Sequence, residues 1–200
     1  MSSAAVYTAG RFQPPTTGHS RMIETVIHLA QRKGAEAFVF VSKTRGPNDP
    51  LSSSAKVAYL RKMFPGGVTF VDCGAEDKPC GGPLLSNHWL RNQGYTDITF
   101  VAGSDREGDF GPDSRVWKNV ETPPKMVFLP RGDSMSGTMA RSFAESANEK
   151  LFISAVLAGR VSLRDAEDLY DEVRHEMGLF VPARSRVPSI LQIFRQLCGC

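Results

Sequence analysis

The chain has 200 residues, of which 41% are hydrophobic and 22% charged, and its formal net charge is +3. Such a length and apolar content suit one α/β domain with a small addition, and no second catalytic domain is expected. No Lys/Arg run interleaves with aromatics as a nucleic-acid track does, no apolar stretch is long enough to span a membrane, and Met1-Ser2-Ser3 lacks a leader-like apolar run. Nucleic acid and membrane are therefore set aside as partners, and the cytoplasm is the expected location.

Residues 4–9 (Ala4-Ala5-Val6-Tyr7-Thr8-Ala9) form a short β-competent run ended by Gly10. Behind it Met22, Ile23, Val26, Ile27 and Ala30 recur at helical spacing and predict a helix over 18–33. The junction between them reads Gly10-Arg11-Phe12-Gln13-Pro14-Pro15-Thr16-Thr17-Gly18-His19. A helix starting there turns unpaired N–H groups and a positive dipole end toward the loop, which attracts anions. Gly18 permits close backbone approach. Thr16 and His19, three residues apart, can face one phosphate, with Arg11 adding charge from the loop.

Strands are predicted next at 36–41 and 68–72, with a helix at 54–63 between them and Lys43 in the loop after the first. A helix at 84–93 follows the break Cys80-Gly81-Gly82-Pro83, which is expected to border an acceptor pocket. A strand at 97–102 runs into the turn Gly103-Ser104-Asp105-Arg106, and another strand is expected at 125–129. Helices follow at 138–147 and 149–158, the first opened by Ser136-Gly137-Thr138-Met139-Ala140-Arg141. Two hydroxyls at an N-cap, a glycine between them and a cation one turn later make a second candidate phosphate site.

Alternating strands and helices predict a Rossmann-like, doubly wound α/β domain with a parallel sheet over 1–159. In such sheets ligands bind beyond the carboxyl ends of the strands, so the turns holding Lys43, Gly103 and Asp105 are expected to face the crevice. A C-terminal helical appendage is assigned to 160–200. Ser162 and Asp165 form a near capping box, and Leu163, Ala166, Leu169, Val173 and Met177 make one apolar stripe. Beyond Pro182 and Pro188, the residues Ile190, Leu191, Ile193, Phe194 and Leu197 form a last apolar face, for docking on the chain's own domain, on a symmetry mate in a homo-oligomer, or on a protein partner. Cys73, Cys80, Cys198 and Cys200 have neither zinc-finger nor Cys-x-x-Cys spacing, even with His88 added, and are expected as reduced thiols with no metal.

The pattern Gly-x-Phe-x-Pro-x-Thr-x-Gly-His over Gly10, Phe12, Pro14, Thr16, Gly18 and His19 resembles the signature of the nucleotidylyltransferase superfamily, in the Gly-Arg-Phe-Gln-Pro form of nicotinamide-nucleotide adenylyltransferases. Thr16 departs from that branch, which carries histidine there, and matches the pantetheine-phosphate branch. The 136–141 segment resembles the family's Ile-Ser-x-Thr-x-x-Arg element. The resemblance implies that His19 donates to the α- or β-phosphate, that Thr16 holds phosphate by its hydroxyl, and that Arg11 and Arg141 balance pyrophosphate charge. It also implies that Ser136 and Thr138, around Gly137, anchor the triphosphate. Trp117, and less so Trp89, offer a face on which an acceptor ring could stack, the alternative being core. The implied reaction transfers AMP from ATP to a phosphorylated acceptor with release of pyrophosphate, nicotinamide mononucleotide giving NAD. The alternatives are cytidylyl transfer, another acceptor, or a non-catalytic assembly protein reusing the fold. Mg2+ is expected on the triphosphate, with few protein ligands.

Overall fold

Along β1 (Ser3–Gly10) successive side chains leave for opposite faces of a sheet. Val6 packs with Val26 and Ala30 of α1 (Thr17–Lys33), while Tyr7, next in the strand, meets the rings of Phe40 and Phe100 on the other face. A computed structural model describes residues 3–75, 80–130, 132, 134–158 and 161–181. In it β2 (Glu36–Val41), β3 (Thr69–Asp72), β4 (Tyr95–Gly103) and β5 (Lys125–Leu129) join β1 in one sheet of order β3-β2-β1-β4-β5, every pairing parallel. The same alternation divides β2, where Phe38 and Phe40 face one cluster and Val39 and Val41 another.

Helices cover both faces, as a parallel sheet requires. They are α2 (Ser53–Met63), α3 (Pro83–Asn92), the single turn α4 (Glu107–Phe110), α5 (Gly137–Glu145), α6 (Glu149–Val156) and α7 (Leu163–Glu176). The predicted elements are present; α4 and the 3-10 turn Ser104–Arg106 before it carry too few residues to show a period and were not expected. The order of strands reverses direction at β1, so the chain leaving β1 and the chain leaving β4 part to opposite sides and open a crevice between them.

The C-terminal helix packs on the same body. Ala166, Leu169, Tyr170 and Val173 share a cluster with Ala140 and Ala144 of α5 and Phe152 of α6. Leu163, expected in the stripe, is instead 56% exposed, because the helix turns Tyr170 inward at its other edge. Buried Arg174 donates to the carbonyls of Ala144 and Phe180, holding the end of α7 against the end of α5. The apolar face at 190–197 lies outside the described residues.

One expectation is overturned. Cys73 and Cys80 are joined in a disulfide rather than reduced, because by Cys80 the chain has returned to within 5.1 Å of the Cys73 Cα atom. A spacing of seven residues carries no local signal of that return. Among the described residues, no helix is long and apolar enough to cross a membrane.

Candidate active site

A cavity of about 540 Å³ opens at the carboxyl ends of β1, β4 and β5, within the range of small-molecule sites. Two helix starts converge on it. The first is shaped by Phe12, whose φ of 51° is unusual for a side chain of its size and whose ring is fully buried, 4.8 Å from the imidazole of His19. Thr16 caps α1, and its backbone N–H donates to Nδ1 of His19 at 3.1 Å while its hydroxyl lies 2.9 Å from the same nitrogen. A backbone N–H can only donate, so Nδ1 is an acceptor and the imidazole proton resides on Nε2. Burial lowers the pKa of His19 from 6.5 to about 4, which keeps it a neutral donor. The buried Thr16 hydroxyl is thereby engaged in orienting His19.

The second helix start is α5. Ser136 accepts the N–H of Met139 at 3.2 Å and caps it. Gly137 lies so close to the first loop that a Cβ there would stand 2.6 Å from the Gln13 carbonyl oxygen, and a Cβ on Gly18 would stand 2.9 Å from that of Met135. Both glycines let two backbones meet. Arg141 donates to the Gln13 carbonyl and, at 3.4 Å, to the hydroxyl of Thr138. Gln13 is 3% exposed and its side chain exchanges hydrogen bonds with Leu51, donating to the carbonyl at 2.8 Å and accepting from the N–H at 2.9 Å. It thus ties the loop after β1 to the loop after β2.

Among the described residues, the lining holds Arg11, Arg21, Arg106 and Arg141, with the neutral His19, against one carboxylate, Asp105. With two positive helix ends added, this is a place for a polyanion. Gly10, Arg11, Phe12, Thr16, Gly18, His19, Gly103, Asp105, Ser136, Gly137, Thr138 and Arg141 are brought together along it, and so are Gly81 to Pro83. Gly103 makes room for Asp105, whose Oδ1 would lie 2.5 Å from a Cβ at that position.

Three predicted residues stand elsewhere. Trp117 is 3% exposed, packed on Phe100, and donates its indole N–H to the Phe110 carbonyl at 2.8 Å, so it belongs to the core and offers no face. Lys43 is exposed and does not line the cavity, although its neighbours Ser42 and Thr44 do. Trp89 packs against Phe38 and Phe40 away from the cavity.

A family model described as cytidylyltransferase-like matches residues 7–185. The chain belongs to the cytidylyltransferase-like family. It is a nucleotidyltransferase by that membership, and the matched span takes in α7 as well as both phosphate motifs. Among solved structures it is similar to a Vibrio parahaemolyticus protein named as a nicotinate-nucleotide adenylyltransferase, with TM-score 0.58 and 17% identity over 84% of this chain and 98% of that one. It is similar also to the Plasmodium falciparum nicotinic acid mononucleotide adenylyltransferase complexed with NaAD, with TM-score 0.59 and 12% identity over 84% and 98%. The same Plasmodium enzyme complexed with APC gives TM-score 0.57 and 13% identity over the same shares. At such identities these likenesses concern the fold. No curated protein matches the chain.

Sequence reasoning missed several lining residues of this cytidylyltransferase-like site. Phe110, partly buried, lines the cavity, with the guanidinium of Arg106 5.4 Å from its centroid. Arg21, one turn into α1, adds a cation. An exposed Arg-x-x-x-Phe spacing on an unpredicted helical turn has no signal that separates it from surface. As for a metal, no group of three His, Cys, Asp or Glu side chains comes together among the described residues. Among the described residues, the sparse carboxylate set suits a Mg2+ held chiefly by phosphate oxygens and its own waters, with Asp105 a carboxylate in the lining.

Proposed function

We propose that the protein transfers AMP from ATP to the phosphate of a phosphorylated small-molecule acceptor, releasing pyrophosphate, with nicotinamide or nicotinate mononucleotide as the acceptor and a dinucleotide as the product. The observation that carries this reading is the locked tautomer of His19 at a helix start that shares one cavity with the start of α5. An oxygen of the acceptor phosphate attacks the α-phosphorus in line, the bond to the bridging oxygen breaks, and pyrophosphate leaves with the electron pair. The chemistry asks for position and charge stabilisation, and for no nucleophilic side chain. His19 donates from Nε2 to the oxygen where charge develops. Arg141, Ser136, Thr138 and the first N–H groups of α5 hold the leaving phosphates, and Arg11 balances their charge. Phe110 supplies the ring against which the acceptor base rests, in the role first considered for Trp117. Mg2+, where bound on the triphosphate, neutralises the charge that gathers on the departing oxygens.

The family's description favours a second reading in one respect, the nucleotide base, since cytidylyl transfer uses the same phosphate chemistry. The test is pyrophosphate release with Mg2+ and either ATP or CTP across nicotinamide mononucleotide, nicotinate mononucleotide, phosphopantetheine, flavin mononucleotide and polyol phosphates. Release with a pyridine mononucleotide and ATP, abolished in His19→Ala, is the expected result. Release with another acceptor or with CTP alone overturns the substrate assignment.

A further inference from the structure

Asp49 sits in the loop after β2, where its backbone exchanges hydrogen bonds with Gly46 at 3.1 and 2.9 Å, two residues before the Leu51 that Gln13 clamps. The backbone that carries its carboxylate is thus held in a closed turn. Asp49 is 8% exposed, yet among the described residues its Oδ1 has no hydrogen-bond partner, and Oδ2 has only Arg11 at 3.5 Å. A buried carboxylate is stable only where positive charge surrounds it. Here that charge comes from three directions: Arg11 by direct pairing, and Arg141 and the fully buried Lys56 through space. Lys56 is committed to the Ser42 carbonyl at 2.5 Å. Arg11 and Arg141 line the cavity, whereas Asp49 does not. The Arg11 side chain is 63% exposed.

We infer that Asp49 is a place-holding counter-ion, a positioning residue that pairs with Arg11 in the empty site and yields it to the β- and γ-phosphates when they arrive. The inference rests on the nucleotidyl-transfer reading above. A polyphosphate must then compete with this carboxylate for the same guanidinium. The carboxylate also offsets one positive charge of the field that retains pyrophosphate after the bond has broken. Its role is to keep the product from binding too well, so that the cations which stabilise the transition state do not hold the site closed.

The sign of the consequence separates this from an ordinary structural role, because damage to a binding site weakens binding. Asp49→Asn keeps the shape and removes the charge, so inorganic pyrophosphate should bind the full-length variant roughly five- to tenfold more tightly than wild type in calorimetry at low salt. Its inhibition constant in the forward assay should fall by the same factor. In the double variant Arg11→Gln, Asp49→Asn the gain over Arg11→Gln alone should shrink, since the guanidinium being released is gone. Asp49→Ser serves as the second variant, with a thermal melt confirming the fold of each. Equal or weaker pyrophosphate binding in a folded variant overturns the inference while leaving the transferase reading intact. Failure of both variants to fold makes Asp49 a structural residue and overturns it too. Wild type that binds neither ATP nor pyrophosphate overturns the transferase reading, and the inference with it.

Discussion

The backbone N–H of Thr16 points at Nδ1 of His19 across 3.1 Å and decides which nitrogen of that ring carries the proton. The helix cap and the candidate catalytic donor are the same local structure. A residue at the third position of a helix reaches back to its own cap, so the proton is delivered to Nε2 by capping chemistry alone.

If Nε2 acts on charge that develops only in the transition state, His19→Ala should lower kcat by about 10²–10³-fold and change ATP affinity little. Steady-state kinetics beside calorimetric ATP binding checks this. Equal losses in both would place His19 in ground-state binding.

The proton linkage of His19 has a definite sign. Its folded pKa, lowered by burial from 6.5 to about 4, means that the unfolded chain binds the proton more readily. The stability so contributed is complete above pH 6.5 and is lost as pH falls toward 4. Melting temperatures of wild type should therefore drop more steeply over that window than those of His19→Gln; parallel curves would show that the ring titrates normally in the folded protein.

Lys56 behaves alike at higher pH. Burial lowers it from 10.5 to about 8, opposed by Asp49 and Asp72. Its contribution is present above pH 10.5 and lost as pH falls through 8, so stability rises between those values. Lys56→Met should flatten that rise, read by denaturant titration at several pH values. A slope as steep as wild type would count against a buried cation there.

At Gly137 the two phosphate loops meet with no space for a methyl group, the Gln13 oxygen being 2.6 Å from where it would lie. Gly137→Ala should cost about 1–3 kcal/mol by forcing the backbones apart. It should also raise the KM for the nucleotide by moving the start of α5. A variant with unaltered Tm and KM would mean that the loops separate freely.

The Cys73–Cys80 bridge closes a short loop immediately before Gly81 to Pro83 in the cavity wall. Loop-closure entropy for a ring of this size suggests a contribution of about 2 kcal/mol. Reductant should lower the Tm of wild type and leave Cys73→Ala, Cys80→Ala unmoved. Identical responses would indicate free thiols in solution.

How much of this was legible beforehand depended on distance along the chain. Strand and helix periods, the Thr16 cap with His19 three residues on, and the Ser136 cap with Arg141 are local patterns, and they predicted the elements, the doubly wound class and both phosphate motifs. The sequence by itself determined these because each arises from hydrogen bonds and side-chain directions within about one turn of the backbone. Tertiary structure alone decided that the two helix starts share a cavity, that Gln13 clamps Leu51, that Arg11 meets Asp49, and that Cys73 meets Cys80. It also put Trp117 in the core and Phe110 on the wall, although both are aromatics on the same stretch after β4. Which of two nearby rings turns inward depends on the sheet face beneath them, and that face is assembled from strands far apart in sequence.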